Sequence, residues 1–180
     1  MIKMNIENDL TEKFIYDLFS SGYNIDEYFT NIFKGNILFY CCYNKNLVYA
    51  KKLIKYNIST SSKYNYFYNI ISCQDSDYNL CQDFLSFLFS IIKDFNNPIF
   101  VSIAVEYYDN HFYTSETLRN HYSKFKDSID KLIKLTPSIY IKESIIKYVR
   151  TRTSDMIPNF SFFEKLFGTT YKELFKIHYS

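Results

Sequence analysis

Cysteine and histidine are the residue types in this chain that could bind a metal or act as a nucleophile, and they are scattered. The four cysteines are Cys41, Cys42, Cys73 and Cys81, and there are three histidines. A structural zinc site needs pairs of such residues at close spacing, and Cys73 lies too far from Cys81 to form one. A nucleophilic pair of Cys81 with His121 stays an alternative, but no neighbouring residue would activate the thiol. We therefore predict no metal site and interpret the cysteines as small buried hydrophobic residues.

Carboxylates and glycines give no stronger signal for chemistry. Asp75, Asp77 and Asp83 cluster around a predicted turn, where solvation and helix capping account for them. A phosphate-binding loop needs several glycines close together, and the whole chain has three. The sequence predicts no catalytic residue and no cofactor, so an enzyme is the least favoured class.

Composition limits the partners that the chain can be expected to bind. Its 180 residues fit one domain with a sizeable core. Aromatic residues make up 21% and tryptophan is absent; this bias, together with abundant Ile, Asn and Lys, is typical of A/T-rich genomes, such as those of large DNA viruses, intracellular bacteria and protists. The aromatic content is therefore weak evidence for base stacking. A net charge of +2 gives no strong field toward nucleic acid or an anionic membrane.

Two groups of basic residues are candidate sites for an anionic partner, and a solvated helix face is the favoured interpretation of both. The first group lies on the outer face of a predicted helix, and the second, the better candidate, on and after a late helix. The first group is Lys51, Lys52 and Lys55. The second group is Lys142, Lys147, Arg150 and Arg152.

The expected location is the cytoplasm of the source or host cell. The first residues, MIKMNIENDLTEKF, carry acidic groups where a signal peptide would need an apolar run. The longest apolar stretch, residues 84–92, is about half of the ~20 residues that span a bilayer, so we expect no membrane segment.

Apolar spacing predicts short helices in the first third of the chain. Residues 10–21 carry one apolar stripe and end at Gly22, a natural left-handed terminator. Residues 23–35 read as a loop, followed by a helix over 37–43. A break at Asn44–Asn46 precedes another helix over 47–56, with Leu47, Ala50, Leu53 and Ile54 directed inward.

Residues 10–59 resemble the ankyrin repeat, whose unit of about 33 residues is a turn plus two antiparallel helices. Leu38 takes the place of the leucine in the first helix, and Cys41–Cys42 replaces the paired small residues. Leu47 opens the second helix, and Asn57 stands for the terminal glycine. The family's Thr-Pro is Asn36–Ile37 here, so its threonine cap is missing.

The resemblance implies an all-α fold: a short stack of antiparallel helix pairs over residues 1–135. Further pairs are predicted at 66–73 with 80–95 and at 99–108 with 115–126. Ile37, Ile70 and Ile103 recur every 33 residues. Residues 136–180 are predicted to form capping helices, in the same domain or as a small tail. Their Leu-Thr-Pro opening with spaced isoleucines also resembles the start of an F-box-like motif.

The resemblance further implies a non-enzymatic protein–protein interaction module, possessing a host-interaction or adaptor role. On the family pattern the exposed partner-binding positions are Lys34 and Asn36 at the loop tip, with Phe39 and Tyr43 on the first helix. Large aromatic side chains at such positions are typical of binding hot spots. For Phe39, burial against the neighbouring unit is an equal alternative. The alternative functions are a compact helical decoy of the viral Bcl-2-like type and a structural subunit of a large assembly.

Overall fold

The computed structural model describes residues 12–33, 35–56, 58–60, 64–72, 77–109, 116–151, 160–170 and 173. Within these residues all regular structure is helical, which confirms the all-α prediction. Two 3-10 helices, at Ile54–Tyr56 and Pro98–Val101, accompany the α-helices. The α-helices are α1 (Glu12–Ser20), α2 (Ile25–Phe33), α3 (Ile37–Tyr43), α4 (Leu47–Leu53), α5 (Tyr66–Ile71), α6 (Tyr78–Ile91), α7 (Ser102–Tyr108), α8 (Glu116–Ser123), α9 (Lys126–Leu135), α10 (Ser138–Thr151) and α11 (Ser161–Phe167).

Local capping sets the ends of several helices. α1 terminates as predicted, because Gly22 adopts a φ of +76° and its N–H donates to the Phe19 carbonyl at 3.0 Å. α3, α4 and α5 each begin at an asparagine whose side-chain oxygen accepts a backbone N–H three residues on, at 2.9–3.1 Å. These caps are Asn36, Asn46 and Asn65. Each satisfies a donor that the first turn of a helix leaves free.

Helices α3 to α7 pack in a regular order. α3 contacts α4 across the turn 44–46, and α5 contacts α6. α5 also contacts α3 on one side and α7 on the other, while α4 contacts α6. Lys45 lies in the turn 44–46 and adopts a left-handed φ of 57°. Its ammonium donates to the Asn69 carbonyl at 2.6 Å, which joins this turn to α5.

Aromatic rings fill the centre of the molecule. Phe67 is fully buried, and its ring lies 4.9 Å from Phe89, 6.0 Å from Phe95 and 5.7 Å from Phe100. Burial of side chains this large dominates the apolar contribution to folding. Ile37, Ile70 and Ile103 are all fully buried in the same core. They occupy different positions along α3, α5 and α7, so their 33-residue spacing does not mark equivalent sites.

Three sequence-based expectations were wrong. Residues 25–33 form a helix instead of a loop, because Ile25 and Phe29 lie one turn apart and both bury. Asn24 begins that helix by accepting the Glu27 N–H at 3.1 Å. Ile54 was expected to face inward, but it starts a 3-10 turn and is exposed. The sequence reading also did not anticipate α9, whose Ile129 and Leu132 are fully buried.

The C-terminal helices contact the same core. α10 packs against α7, and its Ile141 and Ile145 are buried. Phe163 on α11 belongs to the core cluster, and Phe162 stacks on Tyr108 with ring centroids 3.6 Å apart and planes 7° from parallel. No helix among the described residues has both the length and the apolar character needed to cross a bilayer.

Candidate functional site

Asn36 was predicted to be an exposed partner-binding residue, and the structure contradicts that exposure. Its side chain is 2% exposed. Besides capping α3, it donates from Nδ2 to the Ser59 carbonyl and to the Tyr66 hydroxyl, each at 2.8 Å. An amide that satisfies three groups from three chain segments is buried without penalty, whereas an unpaired one would be costly. Asn36 therefore connects α3 to the start of α5.

The bond from Asn36 is one of two similar links between successive helices. Tyr66, which receives it, is the first residue of α5 and is fully buried, and desolvation raises the pKa of its hydroxyl. Asn65, the cap of α5, donates to the Ser102 hydroxyl at 2.7 Å, and Ser102 is the first residue of α7. In both cases the capping asparagine of one helix bonds to the first residue of the next helix in the row α3, α5, α7.

The two predicted aromatic positions have different environments. The Phe39 ring is partly buried and lies 5.2 Å from Tyr64. It also covers Gly35, where an added Cβ would meet the ring at 2.6 Å. Tyr43, at the end of α3, is 70% exposed, and Val48 at the start of α4 is 69% exposed. Lys34, the fourth predicted residue, lies outside the described residues.

The described cysteines, His121 and Asp77, which the sequence offered as candidates for chemistry, are buried in the core or bonded to the backbone. Cys41 and Cys42 are buried free thiols, Cys81 is also buried, and burial raises the pKa of Cys41 to about 12. His121 Nε2 lies 2.6 Å from the Ile71 carbonyl. Asp77 caps α6 by accepting the Asn79 N–H at 2.8 Å. Within the described part of the chain, no three His, Cys, Asp or Glu residues are grouped so that they could hold a metal ion. Cys73 and Asp75 lie outside the described residues.

Most of the described basic residues in the two predicted groups are exposed. Lys51, Lys52 and Lys55 are exposed, as the solvated interpretation predicts. The Lys142 ammonium lies 5.1 Å from the centre of the Phe167 ring, so it packs on α11. Arg152 lies outside the described residues.

A pocket with a volume of about 350 Å³ opens where the turn after α1 meets the 3-10 helix 54–56. Its lining includes the aromatic residues Phe19, Tyr23 and Tyr56 and the carboxylate of Asp26. Asp26 Oδ2 accepts the Ser59 N–H at 2.6 Å, while the buried Oδ1 has no hydrogen-bond partner. Desolvation raises the pKa of Asp26, and the nearby N–H groups of Ser59 and Ile37 offset part of the rise. Sequence reasoning missed this site because it treated residues 23–35 as a loop.

A second partly buried carboxylate, Glu106, lies on α7 between two tyrosines. It is hydrogen-bonded to Tyr68 of α5. Desolvation raises the pKa of Tyr122 on α8, and electrostatic repulsion from Tyr68 and Glu106 raises it further. Glu106 Oε2 is buried without a hydrogen-bond partner. Desolvation raises the pKa of Glu106 to about 7.

Comparisons with protein-family models, with curated proteins and with solved structures gave no match.

Proposed function

We propose that the chain is a non-enzymatic protein-binding module built from ankyrin-like helical pairs, with α10 and α11 as its C-terminal cap. The recurring asparagine link supports this proposal most directly. Asn36 bonds to Tyr66 and Asn65 bonds to Ser102, so each link ties one helix to the next of the row. Helical pairs that depend on their neighbours for burial are the construction principle of repeat proteins, which present extended binding surfaces.

The tip of the α3–α4 hairpin is the proposed binding surface. Tyr43 and Val48 flank the turn 44–46 and are the two most exposed large apolar side chains among the described residues. The turn is held in place by the bond from the Lys45 ammonium to the Asn69 carbonyl. An exposed tyrosine on a fixed turn is suited to a binding hot spot, because little conformational entropy is lost when a partner docks. Phe39 then supports the surface by packing on Tyr64.

Affinity purification with the full chain tests the proposal. The tagged protein and its Tyr43→Ala/Val48→Ala variant are incubated with lysate of the source or host cell, and captured proteins are quantified by mass spectrometry. We expect at least one protein captured by the parent chain and depleted at least about tenfold by the double variant, since a hot-spot residue contributes about 2 kcal/mol or more. Thermal melting should stay nearly unchanged, because both side chains are exposed.

Ile139→Ala is the matched control, since Ile139 is 63% exposed and lies on α10. It should leave capture intact. Equal capture by all three proteins would contradict the assignment of the surface, and the absence of any specific partner would contradict the proposed function. The full chain is required, because removing α10 would delete the buried Ile141 and Ile145 and uncover the part of α7 that α10 packs against.

A further inference from the structure

The pocket beside α1 has aromatic walls of a kind that attracts cations. The rings of Phe19 and Tyr56 lie 5.3 Å apart at 59° to each other, and Tyr23 at the rim is 65% exposed. The face of an aromatic ring carries partial negative charge and binds ammonium or guanidinium groups within about 6 Å. Within this protein, the Lys55 ammonium already lies 4.9 Å from the centre of the Tyr56 ring. That contact shows that a cation approaches this ring.

The charge of the lining has the matching sign. Asp26 is the only acidic or basic residue among the eight that line the pocket, which otherwise consists of Phe19, Gly22, Tyr23, Asn24, Ile25, Tyr56 and Ile58. One of its oxygens accepts the Ser59 N–H, and the other is buried and lacks a donor. That oxygen is shielded from solvent, so the carboxylate acts on the pocket through its negative charge.

The dimensions favour one side chain over a larger ligand. A volume of about 350 Å³ lies near the lower end of the ~300–1,000 Å³ typical of pockets for small molecules. A guanidinium matches the lining better than an ammonium does, because it is planar, can stack on rings and offers several donors to a carboxylate.

We infer that this pocket receives an arginine side chain of a protein partner, held between the aromatic rings and attracted by the negative charge of Asp26. The inference rests on the proposed function, because the arginine belongs to a bound protein. The pocket and the hairpin tip at Tyr43 then bind separate parts of that partner.

Titration of the full chain with Nα-acetyl-arginine methylamide, followed by ¹⁵N–¹H NMR, tests the pocket alone. We expect saturable shifts at the backbone amides of Gly22, Tyr23, Asn24 and Ile58, which line the pocket. The citrulline analogue has the same shape without the charge, so it should bind at least about tenfold more weakly. The lysine analogue should bind with intermediate affinity.

Asp26→Asn should weaken binding of the arginine probe at least about tenfold, because it removes the charge while keeping an acceptor for the Ser59 N–H. Asp17→Asn is the matched control, since Asp17 is an exposed acid on α1 outside the pocket lining. It should leave the affinity unchanged. If Asp26→Asn fails to fold, Tyr23→Ala replaces it, because Tyr23 is mostly exposed and its loss removes one wall.

Several results would overturn the inference: no saturable shifts at the pocket, equal affinity for the arginine and citrulline probes, or equal weakening by Asp17→Asn and Asp26→Asn. A missing arginine response together with partner capture through Tyr43 would remove the pocket and leave the proposed function standing. A specific arginine response without any captured protein would show that the pocket binds arginine, but would remove the proposed function and with it the protein partner.

Discussion

Asn36 and Asn46 begin neighbouring helices with the same capping bond, but their surroundings differ. Asn36 accepts the Phe39 N–H at 2.9 Å, and Asn46 accepts the Tyr49 N–H at 3.0 Å. Asn46 is exposed, whereas Asn36 is buried and donates to Ser59 and Tyr66 as well. The comparison separates two roles of one residue type. The cap starts a helix locally, and the buried amide joins that helix to the following pair.

Asn36→Ala should produce the largest effect. The substitution removes the cap, worth about 1 kcal/mol, and the two buried bonds that Asn36 Nδ2 donates to the Tyr66 hydroxyl and the Ser59 carbonyl, worth about 1–3 kcal/mol more. We expect the free energy of unfolding to fall by about 3 kcal/mol in urea denaturation. Asn36→Ser keeps a capping oxygen but lacks the amide donors, so it should lie between the parent and Asn36→Ala. A loss below about 1 kcal/mol for Asn36→Ala would show that the buried bonds contribute nothing beyond the cap.

Glu106 provides a contrast to Asn36, because one of its side-chain oxygens is buried without a hydrogen-bond partner. Desolvation raises its pKa from 4.5 to about 7, so the folded protein binds the proton more tightly than the unfolded chain does. Its protonated form is therefore favoured by folding. The contribution of the protonated carboxyl to stability is full below pH 4.5 and is lost as the pH rises to about 7, for a total of about 3 kcal/mol.

Glu106→Gln removes this titration. We expect the variant to be more stable than the parent at pH 8 and to show a flatter dependence of unfolding free energy on pH between 4.5 and 7. Glu143→Gln, at an exposed position on α10, serves as the control. The same slope in the parent and in Glu106→Gln would assign the pH dependence to other groups.

Asn46→Ala should have the smallest effect of the three. Only the capping bond to Tyr49 is lost, since Asn46 is exposed and makes no bond to another helix pair among the described residues. A decrease of about 1 kcal/mol is expected in the same urea experiment. An effect as large as that of Asn36→Ala would remove the distinction between cap and link.

The local parts of this fold could be predicted from sequence. The helices over residues 12–20 and 37–53 follow from apolar spacing, and Gly22 ends the first of them through its left-handed conformation. The helix at 25–33 was also within reach, because Asn24, the acidic Asp26 and Glu27, and buried Ile25 and Phe29 form an N-terminal helix signature. The ankyrin-like pattern assigned those residues to a loop and outweighed that signature.

The longer-range features were beyond such reading. The bond from Asn36 to Tyr66 joins residues 30 positions apart, and no pattern around Asn36 distinguishes it from Asn46. The isoleucines spaced 33 residues apart lie at different positions in their helices, whereas Asn36 and Asn65 both cap the start of a helix. The pocket at Asp26 combines α1, α2 and the 3-10 helix 54–56, so it exists only once those elements are packed.

A double-mutant cycle of Asn36→Ala with Tyr66→Phe, measured by urea denaturation, tests most directly whether the buried amide joins successive helix pairs. Tyr66→Phe removes only the hydroxyl that receives the amide bond. If the two residues are linked, the sum of the two single losses should exceed the loss in the double variant by about 1–2 kcal/mol. Losses that add within about 0.3 kcal/mol would contradict the link and the account of the fold that rests on it.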